Sequence, residues 1–291
     1  MGLDVNGTRF LLYAKRLGVD FSRSAMVGRQ YFSRISPSDM KRNLTEFKFV
    51  FDEDTIERIF NENKGYAEPF LQFLGAQETH SFDISGYEGA THLHDMNEEI
   101  SESLKGQYSM VLDGGSLEHV FNFPMAIRNC MHMVRVGGHY LGISPTNNFM
   151  GHGFYQFSPE LYFSVFTKRN GYRMVSMVAF EDKPKAKWYY VKSPSSIKGR
   201  ITLTNSIPTH LLVLAQKLEN APIFQSTPQQ SDYLRVWDHA GIYIQETVKS
   251  SRARSIARRF IPHIVKRWFK PEWKHYSGFD PRFFEAVDHM T

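Results

Sequence analysis

The feature that most constrains the fold is an alternation: short apolar, β-rich runs separated by stretches of helical periodicity. The runs fall at 24–27, 79–84, 90–93, 108–112, 140–143, 174–180 and 208–216. Helical spacing fills 8–19, where Phe10, Leu11, Tyr13, Ala14 and Leu17 form the apolar set, and returns at 124–134 and 159–168. Residues 37–75 read as helices broken by turns. Ser36-Pro37 starts one, Asp52 or Asp54 caps the next, and Gly75 stops a third. Gly137-Gly138 reads as a turn into the 140–143 strand. Strands that alternate with helices need crossovers that cover both faces of the sheet. The expectation is an α/β, Rossmann-like, mainly parallel seven-stranded sheet with helices on both faces. It carries a helical insertion or lid over 31–75 after strand one and a C-terminal helical appendage. Residues 1–220 form the main domain and 221–291 a basic, aromatic-rich appendage.

Open sheets of this kind bind ligands beyond the carboxyl ends of their strands. Gly28-Arg29-Gln30 follow the first strand, and Asp83-Ile84-Ser85-Gly86 end the second. Asp95-Met96-Asn97 follow the third, and Asp113-Gly114-Gly115-Ser116 the fourth. Carboxylates at three successive strand ends need partners, because burying an unpaired charge is costly. A ligand with paired hydroxyls, an amine and an ammonium group supplies such partners.

Past the fifth strand, Gly151-His152-Gly153-Phe154-Tyr155-Gln156 reads as a tight loop. His152 is placed to act as a general base, a role that suits a histidine, or else only to hold its loop. Tyr155 and Gln156 are expected to orient an acceptor, and His119 is the rival base. No metal is expected: His92-x-His94 lacks a third and fourth ligand at suitable spacing, and Cys130 is the only cysteine.

These strand ends, together with Leu117-Glu118-His119-Val120, the following helix, and Val136-Gly137-Gly138 leading into a strand, resemble class I S-adenosylmethionine-dependent methyltransferases. The resemblance covers about 25–180. It implies that Asp83 accepts hydrogen bonds from both ribose hydroxyls, with Ile84 beside it. It implies that Asp95 takes the adenine amine, with Met96 flanking the ring and Asn97 completing the turn. Gly28, Asp113 and Gly114 would line the methionine end, and Arg29 would meet its carboxylate. The chain departs from the family after strand one, where Val27-Gly28-Arg29-Gln30 replaces a glycine-rich turn. That departure motivates the alternative of a non-catalytic binding or scaffold protein on the same fold. The segment 151–159 is similar to methyltransferases of bacterial surface-polysaccharide clusters, which implies a sugar or glycolipid hydroxyl as acceptor.

The formal charge of +5 is local. Residues 247–271 hold no acid, while Arg252, Arg254, Arg258, Arg259, Lys266, Arg267 and Lys270 crowd there with Ile256, Phe260, Ile264 and Trp268 at near-helical spacing. Such a stretch at 250–270 suits either an anionic membrane surface or packing on a core or partner. No nucleic-acid motif accompanies it. With no basic-then-apolar leader and no long apolar span, a cytoplasmic protein is expected, with peripheral association at the membrane's inner face as an option. Oligomeric state leaves no sequence signature here.

Overall fold

The computed structural model describes residues 2–239 and 278–287. A two-stranded parallel pair, β1 (Gly2–Leu3) with β3 (Tyr31–Phe32), stands apart from the main sheet. The main sheet has a parallel block of β2 (Arg23–Val27), β4 (Glu78–Asp83), β5 (His92–Leu93), β6 (Tyr108–Asp113) and β7 (Val134–Asn147). Beyond it lie β8 (Tyr172–Glu181), β9 (Tyr189–Val191), β10 (Thr209–Lys217) and β11 (Phe284–Ala286), all in antiparallel pairings. The order is β11-β9-β8-β10-β7-β6-β2-β4-β5. The sheet is therefore nine-stranded and mixed, which corrects the expected seven mainly parallel strands. The two additions, β9 and β11, are three-residue edge strands, too short to show a period of their own. β11, at Phe284–Ala286, pairs with β9 and forms one edge of the sheet.

Both sheet faces are buried, and the side-chain alternation of the strands sorts residues between them. Ala25, Val27, Val111, Leu211 and Val213 join one core with α5 (Phe123–Met133) and α6 (Pro159–Val165). Met26, Met110, Leu112, Leu212 and Leu214 join the other. That second core is closed by α1 (Val5–Arg16), α2 (Pro37–Glu46), α3 (Glu53–Asn61) and α4 (Glu68–Phe73), through Phe10, Leu44, Ile59 and Phe70. The capping expectations hold: the Ser36 hydroxyl accepts from the Asp39 amide in a capping box, and Asp52 accepts from the Thr55 amide. The helices of 31–75 thus pack their apolar faces on the second core, while Tyr31 and Arg34 border a cavity. Gly137-Gly138 is also no turn between elements. β7 runs through it, and the pairing with β6 slips there, Tyr108 facing Val134 and Met110 facing His139. A Cβ on Gly138 would stand 2.7 Å from the Ser109 carbonyl oxygen, so the pair is a bulge pressed onto β6.

From β2 the chain moves outward through β4 to β5, then returns to the other side of β2 through β6 and β7. The order reverses between β2 and β6, so the crevice for a ligand opens beyond their carboxyl ends. Two short helices, α7 (Pro194–Ile197) and α8 (Ser231–His239), and four short 3-10 helices complete the described elements. The basic stretch at 250–270 lies outside the described residues. No helix among the described residues is long and apolar enough to cross a membrane.

Candidate active site

At the β2/β6 reversal lies a cleft of about 320 Å³, at the small end of the range for small-molecule sites. Gly28, Arg29, Asp83, Ile84, Asp95, Met96 and Asn97 line it, together with Gln30, Ser116, His119 and Val120. The fold therefore gathers residues from four strand ends that are up to 92 positions apart in sequence (28 to 120) into one cleft.

Its walls differ in character. At one lip the Asp83 carboxylate uses Oδ1 to accept from the Ser85 amide at 2.9 Å, which fixes its orientation at the strand end. Asp95 accepts from the backbone and side-chain nitrogens of Asn97 at 2.9 and 2.7 Å, and these bonds hold its carboxyl below the usual range. Asn97 in turn accepts from the Asn122 amide at the start of α5. Ile84 is 70 % exposed and Met96 only 5 %, so an apolar side chain stands open to the cleft beside a buried thioether. A flat ring would cover both.

The far end is built from Gly28, Gln30 and Ser116. The Ser116 hydroxyl donates to the Val27 carbonyl at 2.7 Å, closing β2 onto the loop after β6. Gln30 is 1 % exposed, and its Nε2 donates to the carbonyls of Val27 and Gly28. That assignment turns Oε1 inward, where it is buried without a hydrogen-bond partner. A buried acceptor of this kind calls for a donor. Gln30 was missed in the sequence because a glutamine after a glycine turn carries no pattern of its own.

Three expected assignments change. Asp113 is fully buried and does not reach the cleft. Its Oδ1 accepts from the amides of Ser116 and Leu117, and Tyr140 donates to Oδ2, so it is the internal brace of the loop. Burial pushes it up to about 6. Gly114 faces a different cavity, because Gln30 fills the space beneath it. Arg29 lines the cleft, but its Nε is paired with Glu68 at 2.7 Å, Nη1 donates to the Glu88 carbonyl, and the guanidinium lies on the Tyr66 ring. It fastens α4 to the cleft wall, which leaves it poorly suited to seize a carboxylate.

The second cavity, about 330 Å³, adjoins the first across the loop at 114–119. Its polar lining is Asp4, Arg34, Glu118, His152, Asp182 and His210, set among the rings of Tyr31, Phe149 and Phe180. His210 Nδ1 is buried without a partner, and burial pushes this histidine down to about 4. Asp4, Asp182 and His210 were also missed in the sequence, since each sits beside an ordinary cap or strand end.

Between the cavities stand Glu118, His119 and His152. His119 belongs to the first cavity, and Glu118 and His152 to the second. His152 reaches Glu118 because its loop is tied there: the amides of Phe154 and Tyr155 both donate to the Glu118 carbonyl, at 2.7 and 3.3 Å. The His152 Nε2 lies 3.6 Å from Glu118 Oε1, and the two imidazole rings meet edge to face at 5.0 Å. Glu118 is 1 % exposed, and burial, with the nearby Asp113 charge, pushes its carboxyl up to about 8. Burial, then His152, pushes His119 down. The expectation for His152 and His119 thus finds them together at one junction. Tyr155 is corrected: its hydroxyl donates to the Phe121 carbonyl, and its ring packs on Phe123 and Phe157, so it anchors the loop. Gln156 does the same through the Phe149 amide. His92 stacks on Phe82 and contacts His80, while His94 borders the first cavity.

No family model and no curated protein matches this chain. Among solved structures, it is similar to the N-methyltransferase NodS of Bradyrhizobium japonicum, at 10 % identity and a TM-score of 0.40 over 74 % of this chain and 96 % of that one. It is similar to an S-adenosylmethionine-dependent methyltransferase of Thermotoga maritima, at 11 % identity and 0.35 over 73 % and 89 %. The branched-chain polyamine synthase of Thermus thermophilus aligns at 12 % identity and 0.38 over 77 % and 61 %. Likenesses this distant leave the α/β class resting on the strand order described above, and the activity on the site.

Proposed function

We propose that the chain is an S-adenosylmethionine-dependent methyltransferase acting on a hydroxyl oxygen. The observation that carries this reading is the first cleft, where residues named from the sequence for one ligand line one space. The fit is chemical. With Oδ1 bound by Ser85, Asp83 keeps Oδ2 for paired hydroxyls, and Asp95 offers an acceptor for an amine. Ile84 and Met96 flank a flat ring, and Gly28 and Ser116 border the space for the cofactor's other end. Bound there, the cofactor supplies a methyl group on a sulfonium centre. The cleft remains open beside Gly28, which favours a binding site over the scaffold alternative.

The acceptor is assigned to the second cavity. Acids and a histidine for hydrogen bonding, set among aromatic faces, suit a polyhydroxylated ring such as a sugar or a glycolipid head. Across the shared wall, an oxygen held near Glu118 and His152 approaches the end of the cleft lined by His119. Most of the rate gain then comes from positioning the two reactants in line. Loss of the hydroxyl proton falls to the Glu118–His119–His152 cluster, which borders both cavities. The test is release of S-adenosylhomocysteine when the protein and cofactor are incubated with a panel of sugar-containing acceptors. Turnover with at least one acceptor, reduced on the order of 100-fold in His152→Ala, is the expected result. Activity only toward amines, or unchanged turnover in His152→Ala, would overturn the hydroxyl assignment.

A further inference from the structure

We infer that Glu118, His119 and His152 form a binding site for a divalent transition-metal cation at the wall between the two cavities. Each side chain offers one ligand atom, and these atoms lie within 4.8 Å of one another. Ligand atoms at about 2.0–2.2 Å on one side of a shared ion are separated by about 3–3.6 Å. The largest separation must therefore shorten by about 1–2 Å. Ring rotations close that gap, since His119 is exposed and His152 sits on a loop.

Two further observations point to a ligand. Glu118 is 1 % exposed, and its Oε2 has no hydrogen-bond partner. An orphaned buried carboxylate oxygen is costly unless something positive meets it. His152 Nε2 is 3.6 Å from the other oxygen, beyond a good hydrogen bond. The loop, moreover, is built to hold His152 there. Gly153 packs so tightly on the Glu118 backbone that a Cβ would stand 2.7 Å from its carbonyl oxygen.

Two imidazoles and one carboxylate on one side of an ion leave coordination positions open, the set associated with non-haem iron and also suited to zinc, cobalt or manganese. No regular ligand spacing marks this set in the sequence. Here 33 positions separate His119 from His152, and the fold supplies the proximity. The site itself stands on this geometry. Its role rests on the proposed methyl transfer: a hydroxyl oxygen bound at an open position would become more acidic and release its proton to solvent water, in place of transfer to the cluster. His152 then serves as a ligand and not as a free base.

The test uses the full chain, stripped with a chelator and titrated with Co²⁺ alone, followed by visible absorption. The expected result is one saturable site whose affinity falls at least tenfold in Glu118→Gln and in His152→Asn, as loss of a ligand demands. His132→Asn, on α5 and outside both cavities, should bind as the wild type does. No saturable signal, or equal affinity in Glu118→Gln and His152→Asn, overturns the site; so does equal weakening in His132→Asn. Cofactor binding measured separately without metal keeps the two ideas apart. Co²⁺ binding without cofactor binding ends the methyl-transfer reading and leaves the metal site standing. The reverse removes only the metal.

Discussion

The two glycines that flank His152 should respond very differently to the same substitution. Both have positive φ, +89° at Gly151 and +71° at Gly153. An alanine at either position therefore carries a left-handed penalty of about 1–2 kcal/mol. A Cβ at Gly151 meets nothing within 4 Å. At Gly153 it meets the Glu118 carbonyl oxygen at 2.7 Å and the Glu118 carbonyl carbon and Cγ at 3.1 Å. That backbone cannot yield cheaply, so the loop must lift. Lifting gives up the two amide bonds from Phe154 and Tyr155 to the Glu118 carbonyl, each worth about 0.5–1.5 kcal/mol. The sum is about 2–5 kcal/mol for Gly153→Ala against about 1–2 kcal/mol for Gly151→Ala. Hydrogen exchange at the Phe154 and Tyr155 amides reads the opening directly. Protection should fall roughly 5- to 30-fold in Gly151→Ala and by about 30-fold or more in Gly153→Ala. Equal loss in the two variants would refute the claim that contact with Glu118 holds His152 in place.

Three further outcomes follow from the same geometry. Asp113→Asn keeps an oxygen for the Ser116 and Leu117 amides and an amide for Tyr140. Because burial raises the folded-state value from 3.8 to about 6, the wild type gains stability as pH falls from about 6 toward 4 and loses it above. The asparagine variant should therefore be the more stable near pH 7.5, by at most on the order of 3 kcal/mol, with the gap closing toward pH 4 in denaturant titrations. Gly138→Ala presses a methyl on the Ser109 and Tyr108 carbonyls, at 2.7 and 3.1 Å. It should cost about 1–3 kcal/mol and lower the melting temperature by roughly 2–10 °C; an unchanged melting point would remove the bulge argument. Gln30→Met removes the Nε2 bonds to the Val27 and Gly28 carbonyls while keeping side-chain length, and should weaken S-adenosylmethionine binding roughly 2- to 10-fold by calorimetry. Unaltered affinity would mean that the cofactor does not depend on these bonds for the shape of the Gly28 wall.

The parallel core was legible because its strands are buried on both faces and read as apolar runs, as at Met26-Val27 and Met110-Val111-Leu112. Their ends were legible too, since Asp83 and Asp95 interrupt such runs with charge. What escaped is what depends on three dimensions. Asp113 resembles its neighbours in sequence, yet β6 is flanked by β2 and β7, so its carboxylate turns under its own loop. The edge strand at Phe284–Ala286 exists only because β9 offers it an open edge. Glu118 reads as part of a motif, but its burial and its meeting with His152 come from a loop that hydrogen-bonds to its carbonyl. Arg29 looked available until Glu68 and Tyr66, from the α4 region, closed on it.

The central claim is that the cleft at the β2/β6 reversal holds S-adenosylmethionine, and calorimetric titration of the wild type and Asp83→Ala tests it most directly. Asp83 is partly exposed, and Ser85 already engages one of its oxygens, so the bonds lost to a ribose are worth about 1.5–3 kcal/mol. The account predicts saturable binding to the wild type and affinity roughly 10- to 150-fold lower in the variant. A folded wild-type protein, free of carried-over ligand, that takes up neither S-adenosylmethionine nor S-adenosylhomocysteine would contradict it, as would equal binding by Asp83→Ala.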